Sequence, residues 1–317
     1  MENKKILIID TVHSAFEEIV SQNGFKCIDG SKQSREEILQ EISTYAGVVI
    51  RSRFCLDEEF FNAATQLKFV ARSGAGMENI DVTASEKRNV KLINAPEGNR
   101  DAVAEHAMAM LLSLFNRIII SDNEVRNGIW KRNENRGTEL NGKTVAIIGF
   151  GYMGAAFALR LQGFGVKVIA YDKYITINQR NYPFVEQVEY DVIFKDADVV
   201  SLHVPLTAET HHLVNDAWLN NFRKPVYIIN TSRGSVLNTE ALVNAIKAGK
   251  VSGACLDVSE YESTSFENLN AAELPAPWQY LIKSDKVILT PHIAGWTHES
   301  YRKLSEVMAE KVIKLYK

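Results

Sequence analysis

The chain has 317 residues, 46% of them hydrophobic and 24% charged, with a formal net charge of −3. This length suits two domains, and the apolar fraction supplies a core without metals or disulfides. The slightly negative balance argues against nucleic acid as the main ligand, because binding a phosphate backbone takes a clustered cationic surface.

The chain opens MENKKILIID, a short strand-like run over residues 5–10 that lacks a signal peptide's apolar core. Residues 14–23 follow with helical spacing at Phe16, Ile19 and Val20, stopping at Gly24, and residues 25–28 read as a second strand. Ser34 begins SREEILQEI with Glu37 three residues on, the pattern of a capping box. Strands are expected at 47–50, 67–71 and 91–93, and Asp81 is expected to cap a helix. Strands alternating with helices predict an α/β chain whose parallel sheet is covered on both faces.

Residues 101–127 read as one long helix, apolar nearly all round in its middle, hence deeply buried or between subunits. Glu105, His106, Asn116, Arg117 and Asp122 interrupt it, and no stretch reaches the roughly 20 apolar residues of a bilayer span. A second alternating series then begins, with strands at 144–149, 166–171, 199–203, 226–230, 252–256 and 287–289, and a final helix at 299–316. Cys27, Cys55 and Cys255 form an odd, dispersed set without CxxC or Cys/His clustering. They are expected to be buried thiols in a reducing compartment, with no metal site. A cytoplasmic protein without a membrane or nucleic-acid partner is the expectation.

Gly149-Phe150-Gly151-Tyr152-Met153-Gly154 is a G-x-G-x-x-G that follows the strand TVAIIG and opens a helix. In that context the first glycine makes a tight turn, the second lets the backbone approach a pyrophosphate, and the third lets helix and strand pack closely. Asp172 ends the next strand, 18 residues after Gly154. An acid there binds ribose hydroxyls and repels a 2′-phosphate, which favours NAD over NADP, although Lys173 stands beside it.

Three further segments end strands of the second series: Asn230-Thr231-Ser232-Arg233-Gly234, Leu256-Asp257 through Glu262, and Thr290-Pro291-His292-Ile293-Ala294-Gly295. Strand C-termini are where open α/β sheets bind ligands. An arginine can clamp a carboxylate with two parallel bonds, and a histidine can give a proton to a nascent alkoxide. A carboxylate beside the imidazole fixes its tautomer and favours its protonated form.

With His203-Val204-Pro205-Leu206-Thr207 and the run from Ser73 to Asp81, these segments resemble the D-isomer-specific 2-hydroxyacid dehydrogenase family, over about residues 47–297. The resemblance implies two doubly wound parallel-sheet domains with the active site in the cleft between them. One is a discontinuous flavodoxin-like substrate domain, residues 1–99 plus 292–317. The other is a Rossmann NAD-binding domain, residues 100–291. It implies a catalytic trio of Arg233, Glu262 and His292, the acid lying 29 residues after the arginine, which selects Glu262 over Glu260. Cofactor contacts would come from Gly149, Gly151, Tyr152, Met153, Gly154, Asp172, Val204, Pro205, Thr231, Ser232, Asp257 and Gly295, with Asp257 on the nicotinamide carboxamide. Substrate contacts would come from Arg51, Ser73, Gly74, Ala75 and Gly76. A homodimer through the long helix is implied as well.

The expected reaction is reversible hydride transfer between NAD(H) and a small 2-hydroxy or 2-oxo acid. Substrate candidates are 3-phosphoglycerate, glyoxylate or hydroxypyruvate, and D-lactate-type acids. Arg51 and Arg53 follow a strand and would suit a phosphorylated acid, whereas surface ion pairing is the plainer role. No regulatory domain is expected after the last helix. Formate dehydrogenases share the fold but place Gln beside the histidine, so Glu262 argues against that branch. A reading of another class is an NAD-sensing, corepressor-like binding protein. The segment between Glu262 and His292 is longer than in compact family members and weakens transfer of substrate from any one branch. His203 is read as structural or cofactor-lining, His106 as a core or interface residue, and Trp296 as pocket wall or packing.

Overall fold

The computed structural model describes residues 4–262 and 274–316. Residues 263–273, which include much of the long segment before His292, lie outside the described residues. The chain divides into two compact units, one holding residues 4–100 and 296–316, the other 101–262 and 274–295.

The first unit is built on β1 (Lys5–Ile8), β2 (Lys26–Asp29), β3 (Gly47–Ile50), β4 (Phe69–Arg72) and β5 (Lys91–Asn94). All pair in parallel, in the order β2-β1-β3-β4-β5. Every residue of β3 and β4 is buried, as expected of a parallel sheet covered on both faces. Because successive side chains point to opposite faces, neighbours in one strand enter different cores. Ile6 and Val49 pack with Phe16, Val20 and the C-terminal helix His298–Leu315, while Leu7 and Val48 pack with Ile38, Phe60 and Phe61. Leu304, Met308 and Val312 recur every fourth residue, and this stripe ties the end of the chain to the first sheet. The capping box at Ser34 and Glu37 is present, and Asp81 accepts from the Ala84 N–H.

The second unit carries β6 (Thr144–Ile148), β7 (Lys167–Tyr171), β8 (Val185–Gln187), β9 (Val199–Leu202), β10 (Val226–Asn230), β11 (Val251–Leu256) and β12 (Val287–Leu289). The order is β12-β11-β10-β9-β6-β7-β8, again all parallel. Strand β8 was not expected from the sequence. Its residues are Val-Glu-Gln and only Val185 is buried, so an edge strand this short gives no apolar pattern.

Three expectations are corrected. Residues 292–295 belong with the second unit, because Ile293 and Ala294 donate their N–H groups to the Asp257 carboxylate there. The long helix begins earlier and breaks: Pro96–Phe115 is followed by Ile118–Arg126 at a bend of 61°. Arg117 at the break has φ 52°, Thr138 N–H takes the Phe115 carbonyl, and Asn116 Nδ2 takes that of Leu112, so the last turn is capped from outside. Neither helix alone is long and apolar enough to cross a membrane. Of the free cysteines, Cys255 is buried and Cys27 partly so, but Cys55 is exposed, since its neighbour Leu56 takes the inward position.

Candidate active site

Strand β6 has β7 on one side and β9 on the other, so the chain changes direction across the sheet at its C-terminal end. This is the switch point where open α/β sheets leave a ligand crevice. The three glycines there have three geometries. Gly149 has φ 90°, and a Cβ on it would lie 2.5 Å from the His203 carbonyl oxygen and 2.9 Å from Val204 Cγ1. A Cβ on Gly154 would fall 2.1 Å from the Gly149 carbonyl oxygen. A Cβ on Gly151 would meet nothing within 4 Å. The first and third are therefore required by the fold, while the second only keeps a space clear. Gly151 is the N-cap of helix Tyr152–Leu161 and supplies no side-chain cap, so Tyr152 and Met153 open a helix whose first N–H groups face that space. Thr231 Oγ1, buried at the end of β10, has no hydrogen-bond partner among the described residues. A dinucleotide fits these features: an anion at a helix end without a side-chain cap, and an acceptor for the stranded hydroxyl.

Asp172 shapes the same crevice. Its Oδ2 accepts from Phe150 N–H at 2.7 Å, and its Oδ1 from Tyr174 and Ile175 N–H at 2.8 Å each. The carboxylate thus pins the glycine loop to the turn after β7. Lys173, whose charge would favour a 2′-phosphate, is held by Glu209 at 2.8 Å. Tyr174 Oη donates to the other Glu209 oxygen at 2.6 Å. Glu209 raises the pKa of both partners, and theirs in turn hold its own below the usual carboxylate value.

Strands β10, β11 and β12 are neighbours, with Asn230 level with Leu256 and Leu256 level with Leu289. The loops that leave them carry Arg233, Asp257 with Glu262, and His292. Asn230 folds the first loop: its Nδ2 donates to the Arg233 carbonyl, and its Oδ1 accepts from the N–H and Oγ of Ser232. A Cβ on Gly234 would sit 2.0 Å from the Ser259 carbonyl carbon, so the Arg233 loop lies directly on the backbone of the next loop. Glu260 turns away to bind Thr239 N–H at 3.1 Å. Glu262 instead places Oε2 3.1 Å from His292 Nδ1, with both side chains mostly buried.

His292 has φ 55°, a left-handed conformation costing on the order of 1 kcal/mol in a residue with a Cβ. Asp257 holds it there. Its carbonyl accepts from His292 N–H at 2.7 Å, its Oδ1 from Ile293 N–H at 2.9 Å, and its Oδ2 from Ala294 N–H at 2.8 Å, just before Gly295. Asp257, expected on the nicotinamide carboxamide, is thus engaged by its own chain through both oxygens. Ser232, expected to line the cofactor, commits its hydroxyl to Asn230. Val204 packs on the glycine turn, and Pro205 accepts from Thr210 Oγ1 at 2.6 Å. His203 packs its ring 5.4 Å from that of Phe157, with Nε2 2.8 Å from Ser201 Oγ. Desolvation pushes its pKa down to about 3.

The first unit holds the remaining candidates, Arg51 just past β3 at the switch point between β1 and β3, and residues 73–76 just past the next strand, β4. Asp10 Oδ2 accepts from the N–H groups of Arg51, Ser52 and Arg53. The two arginines then part. Arg53 spends its guanidinium on the carbonyls of Ile9, Gly30 and Gln33, which removes it from ligand binding. Arg51 stacks on Trp296, with its Cζ 4.5 Å from the ring centroid. Ser73 N–H bonds the Ile50 carbonyl, Gly74 has φ 151°, and Asn94 Nδ2 holds the Ala75 carbonyl at 2.7 Å, so residues 73–76 form a loop braced from both neighbouring strands.

The model of the D-isomer specific 2-hydroxyacid dehydrogenase NAD binding domain matches residues 108–294. The chain belongs to the D-isomer-specific 2-hydroxyacid dehydrogenase family. The D-3-phosphoglycerate dehydrogenase of Archaeoglobus fulgidus is 34% identical over 99% of this chain and 57% of its own length. The glyoxylate reductase of Thermofilum pendens is 37% identical over 90% of this chain and 82% of its own. The chain therefore spans little more than half of the phosphoglycerate dehydrogenase it matches. An NAD-complexed D-isomer specific 2-hydroxyacid dehydrogenase of Lactobacillus delbrueckii ssp. bulgaricus superposes with TM-score 0.83 and 25% identity, over 98% of this chain and 97% of that one.

The domain that the family model matches is an NAD binding domain, so NAD is the cofactor to test against this crevice. NAD supplies or accepts hydride when bound, and the Gly149–Gly154 loop, Asp172 and Thr231 are the residues that would hold it. Several contributors carried no signal in the sequence. Asn230 sits inside the Arg233 segment, yet only the fold shows that it builds the loop. Glu209 is a common polar residue whose partners lie far back along the chain, so no spacing rule could find it.

Proposed function

We propose that the chain catalyses the reversible, NAD-dependent interconversion of a small D-2-hydroxy acid and its 2-oxo acid. The observation that carries this reading is the 3.1 Å pair of Glu262 and His292, at strand ends beside the Arg233 loop and on the sheet that carries the dinucleotide crevice. Glu262 accepts from Nδ1, which leaves Nε2 of the imidazolium to give its proton to the forming alkoxide, and of the neutral ring to take it back. Arg233 supplies the planar fork that binds a 2-oxo carboxylate. Residues 73–76 and Arg51 are the proposed substrate contacts of the first unit. Glyoxylate, hydroxypyruvate, D-lactate-type acids and 3-phosphoglycerate all satisfy this chemistry.

A homodimer and a cytoplasmic location belong to the same proposal. Ile118, Ile119, Val125 and Trp130 are exposed on and just beyond the helix Ile118–Arg126, an apolar surface suited to a second copy, and the free thiols suit a reducing compartment. The test of the reaction is NADH and NADPH oxidation with a panel of 2-oxo acids that includes 3-phosphohydroxypyruvate. Turnover with NADH on at least one acid is expected. Tight NADH binding without turnover on any would instead mark an NAD-sensing protein.

A further inference from the structure

Behind the His292 turn lies a chain of polar contacts that the proposed reaction does not use directly. Thr290 Oγ1 is 2.6 Å from Asp257 Oδ1, and His106 Nε2 is 3.0 Å from Thr290 Oγ1 and 3.5 Å from Asp257 Oδ1. The direction of the proton chain follows from donor counting. An ionised carboxylate only accepts, so the single Thr290 hydroxyl proton goes to Asp257. The Thr290 oxygen is then an acceptor toward His106, whose Nε2 must carry the proton. The order is His106 Nε2–H to Thr290 Oγ–H to Asp257, running from the interior of helix Pro96–Phe115 to the end of β11.

The carboxylate at the end of this chain has a side chain that is fully buried. Its Oδ1 takes both Thr290 Oγ and the Ile293 N–H, while Oδ2 takes the Ala294 N–H. Without the hydroxyl, Oδ1 loses its shortest bond, and the rotation about Cβ–Cγ is held only by the two N–H groups of the turn that the carboxylate is meant to template and by the longer His106 contact. Its two oxygens then present one acceptor to each N–H of the turn less firmly. His292 enters that turn at φ 55°, a conformation that persists only where neighbouring bonds impose it.

We propose that Thr290 and His106 are positioning residues for His292, acting in series through Asp257. The inference rests on the proposed dehydrogenase reading and adds to it the residues that set the imidazole's aim. Neither residue touches substrate. Their effect is to hold the Asp257 carboxylate in the one rotation that templates the backbone at residues 292–294. Small misplacements of a proton donor are costly, since a shift of about 1 Å loses on the order of 100-fold in rate.

The experiment compares Thr290→Val, which keeps shape and deletes the hydroxyl, with Thr290→Ser, which keeps the hydroxyl. Thr290→Val is expected to lower kcat by about 10- to 100-fold with NADH affinity changed by less than about threefold, and Thr290→Ser to restore kcat to within about threefold. His106→Phe is expected to lower kcat less, and the double variant His106→Phe/Thr290→Val to be no worse than Thr290→Val alone, because the residues act through one link. Backbone amide exchange at Ile293 and Ala294 should quicken in Thr290→Val and recover in Thr290→Ser. Retained kcat in Thr290→Val, failure of Thr290→Ser to rescue, or multiplied losses in the double variant would each overturn the proposal. If the unaltered protein turns over no 2-oxo acid, the reaction reading fails and amide exchange alone decides: unchanged exchange in Thr290→Val overturns the positioning role, and quickened exchange upholds it.

Discussion

Glu262 Oε2 stands 3.1 Å from His292 Nδ1, although the histidine reaches it from a left-handed backbone conformation and from the loop of a neighbouring strand. In the proposed reaction the pairing engages Nδ1, and proton transfer falls to Nε2. It also distinguishes two acids that are near neighbours in sequence, since Glu260 binds the N-terminal end of helix Thr239–Lys247 instead.

His292→Ala should therefore lower kcat by about 100- to 10,000-fold while NADH affinity is retained. Glu262→Gln should lower it less, because the amide oxygen still accepts from Nδ1. Arg233→Ala should act chiefly on KM for the 2-oxo acid, and Arg233→Lys should recover only part of it, since an ammonium cannot form two parallel bonds. Steady-state kinetics beside NADH fluorescence titration separates these effects. Near-normal kcat in folded His292→Ala would refute the assigned proton role.

The glycines at 151 and 154 should respond in opposite ways to the same methyl group. In Gly154→Ala the Cβ lies 2.1 Å from a backbone carbonyl oxygen, so stability should fall by about 1–3 kcal/mol. In Gly151→Ala the Cβ meets no atom of the chain within 4 Å, so stability should change by less than about 1 kcal/mol. There the methyl group fills the approach to the helix end, and NADH affinity should drop by about tenfold or more. Urea unfolding and NADH titration measure the two quantities, and equal stability losses in both variants would contradict the assignment.

Glu209 is expected to tune cofactor choice by occupying Lys173. Glu209→Gln releases that ammonium beside Asp172 and should tighten NADPH binding by about threefold without tightening NADH, more at low salt than at high. Adding Asp172→Ser should widen the change. The readout is the ratio of NADPH to NADH dissociation constants at two ionic strengths, and an unchanged ratio in Glu209→Gln removes Glu209 from specificity.

His203 predicts a pH dependence of stability. Its native pKa is depressed to about 3 from the ordinary 6.5. Between those values the unfolded chain takes up a proton that the native protein refuses. Stability is therefore lost as pH falls below 6.5, by up to about 1.4 kcal/mol per pH unit. His203→Gln carries no such proton. The stability difference between pH 7 and pH 5 should shrink by about 2 kcal/mol in the variant, as measured by urea unfolding. An unchanged difference would show that His203 is not the group responsible.

What the sequence by itself determined are features written over short distances. The capping box of Ser34 and Glu37, the Asp81 cap, the alternation of strand and helix and the G-x-G-x-x-G after TVAIIG all depend on neighbours within a turn or two. The ordered segments around Arg233, Glu262 and His292 could likewise be read as strand-end loops. Other features needed the tertiary structure. The break at Arg117 depends on Thr138 returning to cap Phe115, β8 is an edge strand with one buried side chain, and Arg51 parts from Arg53 only because three carbonyls converge on the latter. The proposed positioning of His292 runs through Asp257, Thr290 and His106, which lie up to 186 positions away. Backbone preference and apolar period act locally, whereas a buried carboxylate takes its donors from whichever strands and helices the fold brings beside it.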